Sequence, residues 1–323
     1  SMVARIPAAA LAAAVLLALA GCAKHTGIVA PKIKDPVVFD DTFGAFVDFQ
    51  AFAGSKVDAI AIDSTESVNG TSSLRVTVPP SGATSGTYAG GAFTTNRARD
   101  LSGYNAITFW AKASHAITFD VAGLGNDNTG TSKYTASRSA LPMTTSWQRY
   151  VVPIPLPARL QDEKGLFFFA EGPEAGAGAT VWFDDIRFEN LLDVTNPRPS
   201  IPTQTISPDV GSYATITGTR VVFDVGGTNV LVDCMPGYFT FRSSADSVAV
   251  GGEGTVRAVG LGSATVTASL GEIAATGTLT VTPNASHGRP RSSSIASDGS
   301  ARPPRKCATS TSRSSRRARS GGT

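Results

Sequence analysis

Two sets of side chains in this sequence are of types that could do chemistry. The first is acidic: Asp40 and Asp41 close one short alternating run, and Asp184 lies in another, Val181-Trp182-Phe183-Asp184-Asp185-Ile186. Strand alternation places Trp182, Asp184, Ile186 and Phe188 on one face, with Phe183, Asp185, Arg187 and Glu189 on the other. A carboxylate in register with large apolar residues needs a partner, because an unpaired buried charge costs several kcal/mol. Carboxylate and carbonyl oxygens are the hard ligands that Ca²⁺ selects. Asp40, Asp41 and Asp184, with an amide or backbone oxygen from Asn69, are therefore a candidate structural calcium site. The alternative is acids solvated at strand ends or paired with Lys and Arg.

The second set joins aromatic rings to planar polar groups, the combination that holds a sugar. A ring stacks on the C–H face while Asp, Asn, Arg or Lys bind the hydroxyls. In Ala106–Lys112, alternation puts Trp110 with Thr108 and Lys112, opposite Ile107, Phe109 and Ala111. Asp120 lies with Thr118 and Ala122, and Tyr134 shares a side with Arg138. If these strands are neighbours, Trp110, Lys112, Asp120, Tyr134 and Arg138 line one groove, with Asn126, Asp127 and Asn128 at its rim. Tyr88, beside Gly86 and the Gly90-Gly91 turn, is a second-choice platform. Each residue also has a bland reading: Trp110 in the core, Tyr134 capping the core, Asn126–Gly130 as a turn only. Trp147 and Trp182 are assigned to packing.

Catalytic chemistry finds no such support. No nucleophile motif, phosphate-binding glycine loop or zinc-type cluster is present, and His25, His115 and His287 have no partner spacing. Asp162-Glu163 and the pair Glu171 and Glu174 are the acid pairs that could suggest glycoside hydrolysis. They fall in loop-like sequence and read as solvated surface. The expectation is a non-enzymatic protein with no catalytic residues.

The elements that must position these residues are strands. Only 16% of the 323 residues are charged, and the 33 glycines accompany a wealth of Ser, Thr and Val, a composition of strands and turns. Residues 37–192 contain nine alternating runs separated by turn clusters such as Asn69-Gly70 and Pro79-Pro80-Ser81-Gly82, which implies a two-sheet sandwich. Residues 193–210, with Pro197, Pro199, Pro202 and Pro208, read as a stiff linker. Residues 211–283 carry a second, shorter series of strands. The expected fold class is all-β, a larger sandwich followed by a smaller one.

The two ends differ from the middle. Met2 to Cys22 has one base, Arg5, then an apolar run from Ala8 to Ala20, too short to span a bilayer but suited to the core of a signal peptide. Leu19-Ala20-Gly21-Cys22 resembles the lipobox of bacterial lipoproteins. That resemblance implies a signal peptide over 1–21, lipidation of Cys22, a tether over 22–36 and a place in the bacterial envelope, at the outer membrane or cell surface. Residues 284–323 hold nine bases and one acid, read as a disordered basic tail or as the product of a shifted reading frame. The net charge of +3 therefore averages an acidic folded part with a basic tail, and it does not argue for a nucleic-acid partner.

Further resemblances rest on ordered motifs. Gly70-Thr71-Ser72-Ser73-Leu74-Arg75-Val76, Asp100-Leu101-Ser102-Gly103-Tyr104 leading to Ile107–Lys112, Thr145–Tyr150 and Val181–Ile186 are similar in order and spacing to the jelly-roll carbohydrate-binding modules of the galactose-binding-like fold. This resemblance implies glycan binding without cleavage, often with a structural calcium. Phe241–Val250, Gly254–Ala268 and Thr278–Val281 resemble the bacterial immunoglobulin-like group 2 domain, which implies a spacer. Together they lead to the expectation of a lipid-anchored glycan-binding surface protein, its partners a poly- or oligosaccharide, the membrane, and glycan-degrading enzymes or transporters at the same surface. Two alternatives stand beside it: the front part of a truncated glycoside hydrolase, and an adhesin-like structural protein.

Overall fold

Alternation of apolar and polar residues is carried through into strands almost throughout, and the computed structural model describes residues 31–286. The expected signal peptide with its Cys22, most of the expected tether and residues 287–323 of the expected tail lie outside the described residues. The first part of the chain forms β1 (Val37–Asp40), β2 (Thr42–Phe43), β3 (Val47–Ala51), β4 (Ile60–Asp63), β5 (Ser73–Val78) and β6 (Ala89–Arg99). It continues with β7 (Ala106–Ala113), β8 (Ile117–Leu124), β9 (Ala136–Met143), β10 (Gln148–Pro153), β11 (Glu163–Glu171) and β12 (Ala179–Glu189). Among the described residues there is no α-helix, only short 3₁₀ turns at Pro157–Arg159 and Pro236–Tyr238.

These strands make the two layers of a jelly-roll sandwich. One sheet runs β10-β7-β12-β1-β2, with β5 and β4 added beside β12. The other begins β3-β6-β11-β8-β9. Their inner faces meet in a cluster of phenylalanines: Phe109 and Phe167 have ring centroids 5.2 Å apart, and Phe169 and Phe183 5.4 Å. Phe93, Phe109, Phe119, Phe167, Phe169 and Phe183 are all fully buried, each contributing about 2–3 kcal/mol by removal from water.

The fold departs from simple alternation at the end of β12. Its register on β7 shifts between Asp184 and Arg187, and Asp185 adopts a left-handed φ of 51°. This β-bulge turns the chain over. Phe183 faces the core before the bulge and Ile186 and Phe188 face it afterwards, whereas Trp182 is half-buried away from it. The expected single face Trp182–Asp184–Ile186–Phe188 is thus split between two sides.

The second part of the chain begins with β13 (Val194–Ser200) and β14 (Gln204–Ile206), followed by β15 (Arg220–Val225), β16 (Thr228–Cys234) and β17 (Thr240–Ser243). It ends with β18 (Ala249–Gly251), β19 (Val256–Ala258), β20 (Ala264–Leu270), β21 (Ile273–Ala274) and β22 (Leu279–Val281). A sheet of order β14-β22-β20-β17, with β21 on β20, and the ribbon β18-β19 are sheets separate from those of the sandwich. The remaining strands do not. β16 pairs with β9 at Asp233↔Ser137 and Cys234↔Ala136, so the second sheet of the sandwich continues as β9-β16-β15-β13.

The expected linker is therefore corrected. Residues 194–200 are the last strand of this sheet, paired with β15 and bridged at Ser200 to Thr276; Pro197 falls in the register shift between Thr195 and Arg198, and the edge position tolerates Pro199. The buried side chains Val221, Phe223, Val230 and Val232 belong to the same apolar cluster as the phenylalanines. The tether is also shorter than expected. Asp100 donates its N–H to Ile33 O at 2.8 Å, and the fully buried Arg99 holds Asp35 O and Val37 O at 2.8 and 2.7 Å. Residues 33–36 thus belong to the sandwich.

Candidate functional site

The acidic corner is built where β1 ends beside β12. Asp184 is completely buried. Its carboxylate accepts the N–H groups of Val68 at 2.8 Å, Asn69 at 3.3 Å and Asp185 at 2.8 Å. Burial raises its pKa, and those three hydrogen bonds act against the rise. Asp41 accepts Thr71 N–H at 2.7 Å and Ser72 N–H at 2.8 Å through one oxygen, bonds that hold it below the ordinary carboxylate range. Gly70 lies under that carboxylate with φ +62°, and a Cβ there would collide with it.

Calcium would require these oxygens to face a common point. Asp40 instead pairs with Arg187 at 2.9 Å, and Arg187 also contacts Asp185. Asn69 contributes its backbone N–H, a donor. Among the described residues no three Asp, Glu, His or Cys side chains gather as a ligand group. Positive character is already supplied around the carboxylates by backbone N–H groups and one guanidinium, so Asp40, Asp41, Asn69 and Asp184 as arranged do not fit the ion.

The expected sugar residues are divided between the two layers. Trp110 and Lys112 lie on β7, in the sheet opposite Asp120 on β8 and Arg138 on β9. They cannot share one groove with those residues, because the core lies between. Lys112 Nζ sits 5.0 Å from the centroid of Trp182 and 5.4 Å from that of Trp147, and 2.6 Å from the Glu66 carboxylate. This cation–π clamp covers one face of each ring. Trp182 also donates Nε1–H to Asp63 at 3.0 Å.

Of the others, Arg138 turns inward beside Ala122 and donates to Val151 O on β10 at 2.8 Å. Tyr134 packs on Tyr238 with centroids 5.5 Å apart. Asp120 bonds Gly172 N–H at 2.9 Å, and the Tyr88 hydroxyl donates to Ala53 O at 3.0 Å. Asn126 accepts Asn128 N–H at 2.9 Å, a turn contact. Asp127 reaches an open groove on the β3–β6 side of its sheet, and Tyr134 lines two other clefts.

That groove, of about 290 Å³, lies on the outer face of β3 and β6 and is closed by the turn after β8. Phe46, Asp48 and Gln50 form one wall, Thr94 and Asn96 the floor, and Asp127, Thr129 and Lys164 the other wall. Phe46 is 51% exposed and holds a left-handed φ of 63°, a costly conformation for an aromatic residue. The Arg97 guanidinium stands 4.9 Å from the centroid of its ring. Burial would raise the pKa of Asp127, but hydrogen bonds from Ser132 Oγ at 2.6 Å and Thr129 Oγ1 at 2.7 Å outweigh it and keep the group low. One exposed ring, two carboxylates, two amides and an ammonium thus converge on an open trough.

Sequence reasoning missed this trough. Val47-Asp48-Phe49-Gln50-Ala51 alternates apolar and polar residues and carries the strand signal in plain form, but it is not one of the nine expected runs. The acid pairs also need correction. Glu163 is 9% exposed and Glu171 1%, so neither is solvated, and burial raises both to about 7, aided for Glu163 by the charges of Asp127 and Asp162.

With the geometry described, the kinship of the chain can be stated. Residues 35–190 match the model of carbohydrate binding domain 30. That span is a little under half the chain and coincides with β1–β12, so this domain is a carbohydrate-binding module. No curated protein matches the chain. Among solved structures it is similar to the family 30 carbohydrate-binding module of a cellulosomal cellulase of Clostridium thermocellum, with 21% identity, a TM-score of 0.33, and coverage of 49% of this chain and 94% of that one. It is also similar to the family 11 module of Clostridium thermocellum in complex with a β-1,3-1,4-mixed-linked tetrasaccharide, with 14% identity, a TM-score of 0.35, and coverage of 50% and 99%. A β-1,2-glucanase from Parabacteroides distasonis shows 12% identity and a TM-score of 0.35, covering 78% of this chain and 39% of that one. At such low identities and scores these likenesses bear on neither ligand nor activity.

Proposed function

We propose that the protein binds a poly- or oligosaccharide without cleaving it, in the groove on the outer face of β3 and β6. The observation that carries this reading is the exposed, strained Phe46 beside Asp48, Gln50, Asn96, Asp127 and Lys164. The ring offers a stacking surface, and the planar groups bind equatorial hydroxyls from the sides. The groove holds both signs of charge, which suits an uncharged glycan.

The strands of β14 and β17–β22 act as a spacer in this reading, and the signal peptide with Cys22 places the protein on the surface of the bacterial envelope. Cys22→Ser should abolish incorporation of labelled palmitate in cells, and unchanged labelling would reject the anchor.

The binding test is affinity electrophoresis of the purified protein in gels containing soluble neutral polysaccharides. Phe46→Ala should weaken retention about tenfold, near 1.4 kcal/mol. Retention by no neutral polysaccharide, or equal retention of Phe46→Ala, would reject the assignment.

A further inference from the structure

The two walls of the groove stand on different supports. Phe46, Asp48 and Gln50 lie within the jelly roll, whereas Asp127 and Thr129 ride on the long turn between β8 and β9, residues 125–135. Inside that turn Asp127 Oδ1 accepts Thr129 N–H at 3.2 Å, Thr129 Oγ1–H at 2.7 Å and Ser132 Oγ–H at 2.6 Å. Ser132 Oγ in return accepts the Asp127 N–H at 3.1 Å. All the bonds to the carboxylate end on one oxygen, which leaves Oδ2 for a ligand hydroxyl.

Both arms of the turn are gripped. On the outgoing arm Gly165 of β11 lies so close that a Cβ there would collide with the Asn126 carbonyl. The return arm presents three successive carbonyl groups, of Lys133, Tyr134 and Thr135, to residues 235–238, which lie beyond the span of the family match. Met235 donates its N–H to Thr135 O at 2.9 Å, and the hydroxyl of the fully buried Tyr238 donates to Tyr134 O at 2.6 Å. Gly237 packs against the third carbonyl, since a Cβ there would collide with Lys133 O. Behind it stands Gly254, whose own Cβ would come within 2.7 Å of Gly237 Cα, and the neighbouring Glu253 is tied to Arg159 of the jelly roll at 2.6 Å. Ser132, which holds the Asp127 carboxylate, immediately precedes the three carbonyls.

We infer that Met235 and Tyr238 are positioning residues for sugar binding: by fixing the return arm they set Ser132, and through it the Asp127 carboxylate, against the groove. The second part of the chain thereby completes the groove of the first. This rests on the reading that the groove binds sugar.

The test is affinity electrophoresis of the full chain in gels of hydroxyethylcellulose, xyloglucan and galactomannan, all soluble and neutral, with Kd taken from retardation against polysaccharide concentration. Tyr238→Phe keeps the ring and removes the hydroxyl. Met235→Pro removes the other donor at a φ of −72°, which proline adopts without strain. Each should weaken binding about fivefold. In an Asp127→Ala background neither should weaken it further, whereas in a Phe46→Ala background the loss should persist in full, because Phe46 stands on the other wall. Thermal melts set a temperature at which each variant is folded when Kd is read, and the two variants remove different bonds, so misfolding of one leaves the other to decide. An unchanged Kd in the folded variants overturns the inference while leaving the groove intact. So does a loss as large without Asp127 as with it, since the residues would then act by another route. Retention of the unmutated protein by none of the three polysaccharides rejects the groove, and the inference with it.

Discussion

The buried carboxyl of Glu171 makes the stability of this protein depend on pH in a direction opposite to the usual acid denaturation. Glu171 closes β11 at 1% exposure, its Oε2 accepting Asp120 N–H at 2.6 Å. Burial lifts its pKa from 4.5 to about 7, with the charges of Asp120 and Glu174 adding to the rise and the Asp120 hydrogen bond opposing it. The folded state therefore holds a proton that the unfolded chain releases. Its contribution is fully present below pH 4.5, declines as pH rises, and is lost above about 7. At about 1.4 kcal/mol per unit, a shift of this size is worth about 3 kcal/mol. Urea unfolding at pH 4.5 and pH 8 measures it, with Glu171→Gln as the comparison, because the amide oxygen keeps the Asp120 contact without ionising. The wild type should lose about 3 kcal/mol more than the variant between those pH values. An identical pH dependence in both proteins would refute the argument.

Three further outcomes follow from the acidic corner and the face of β12. Gly70→Ala should destabilise by about 2–3 kcal/mol in thermal or urea melts, since alanine is strained at this φ and its Cβ displaces Asp41 from two backbone N–H groups. Chelation with EDTA should leave the melting midpoint unchanged, given that N–H groups and Arg187 surround the carboxylates; a drop of several degrees would restore a metal to this corner. Asp63 is held at about 2 first by the Thr65 hydroxyl and then by Trp182 Nε1–H, so its contribution is present above pH 3.8 and lost as pH falls towards 2. Trp182→Phe should shrink that loss, read on the acid limb of the stability curve.

Much of this architecture was legible in the alternating runs, because a sandwich strand must show one apolar face. Val37–Asp40, Ser73–Val78 and Ala106–Ala113 were legible in this way. β9 was not, since Pro142 and the polar Ser137, Arg138 and Ser139 mask its inward Ala136, Leu141 and Met143. The prolines of β13 disguised an edge strand as a linker for the same reason. Site residues failed differently. Knowing that Trp110 shares a side with Lys112 does not say in which of the two sheets that side lies, and strand order is a long-range property that no local pattern contains. The face of Asp184 was misread because a one-residue bulge at Asp185 inverts everything after it, and nothing in Asp-Asp-Ile announces a left-handed φ.

The pairing of β16 with β9 changes what counts as a separable piece of this molecule. A fragment cut at residue 190 would contain the whole span matched by the family model, yet it would leave β9 as a bare edge with unpaired N–H and C=O groups at Ala136 and Ser137. Such an edge is a template for the next copy of the fragment. The recombinant unit that stays monomeric at high concentration should therefore extend at least through Cys234, and shorter pieces should be recovered as oligomers or precipitate.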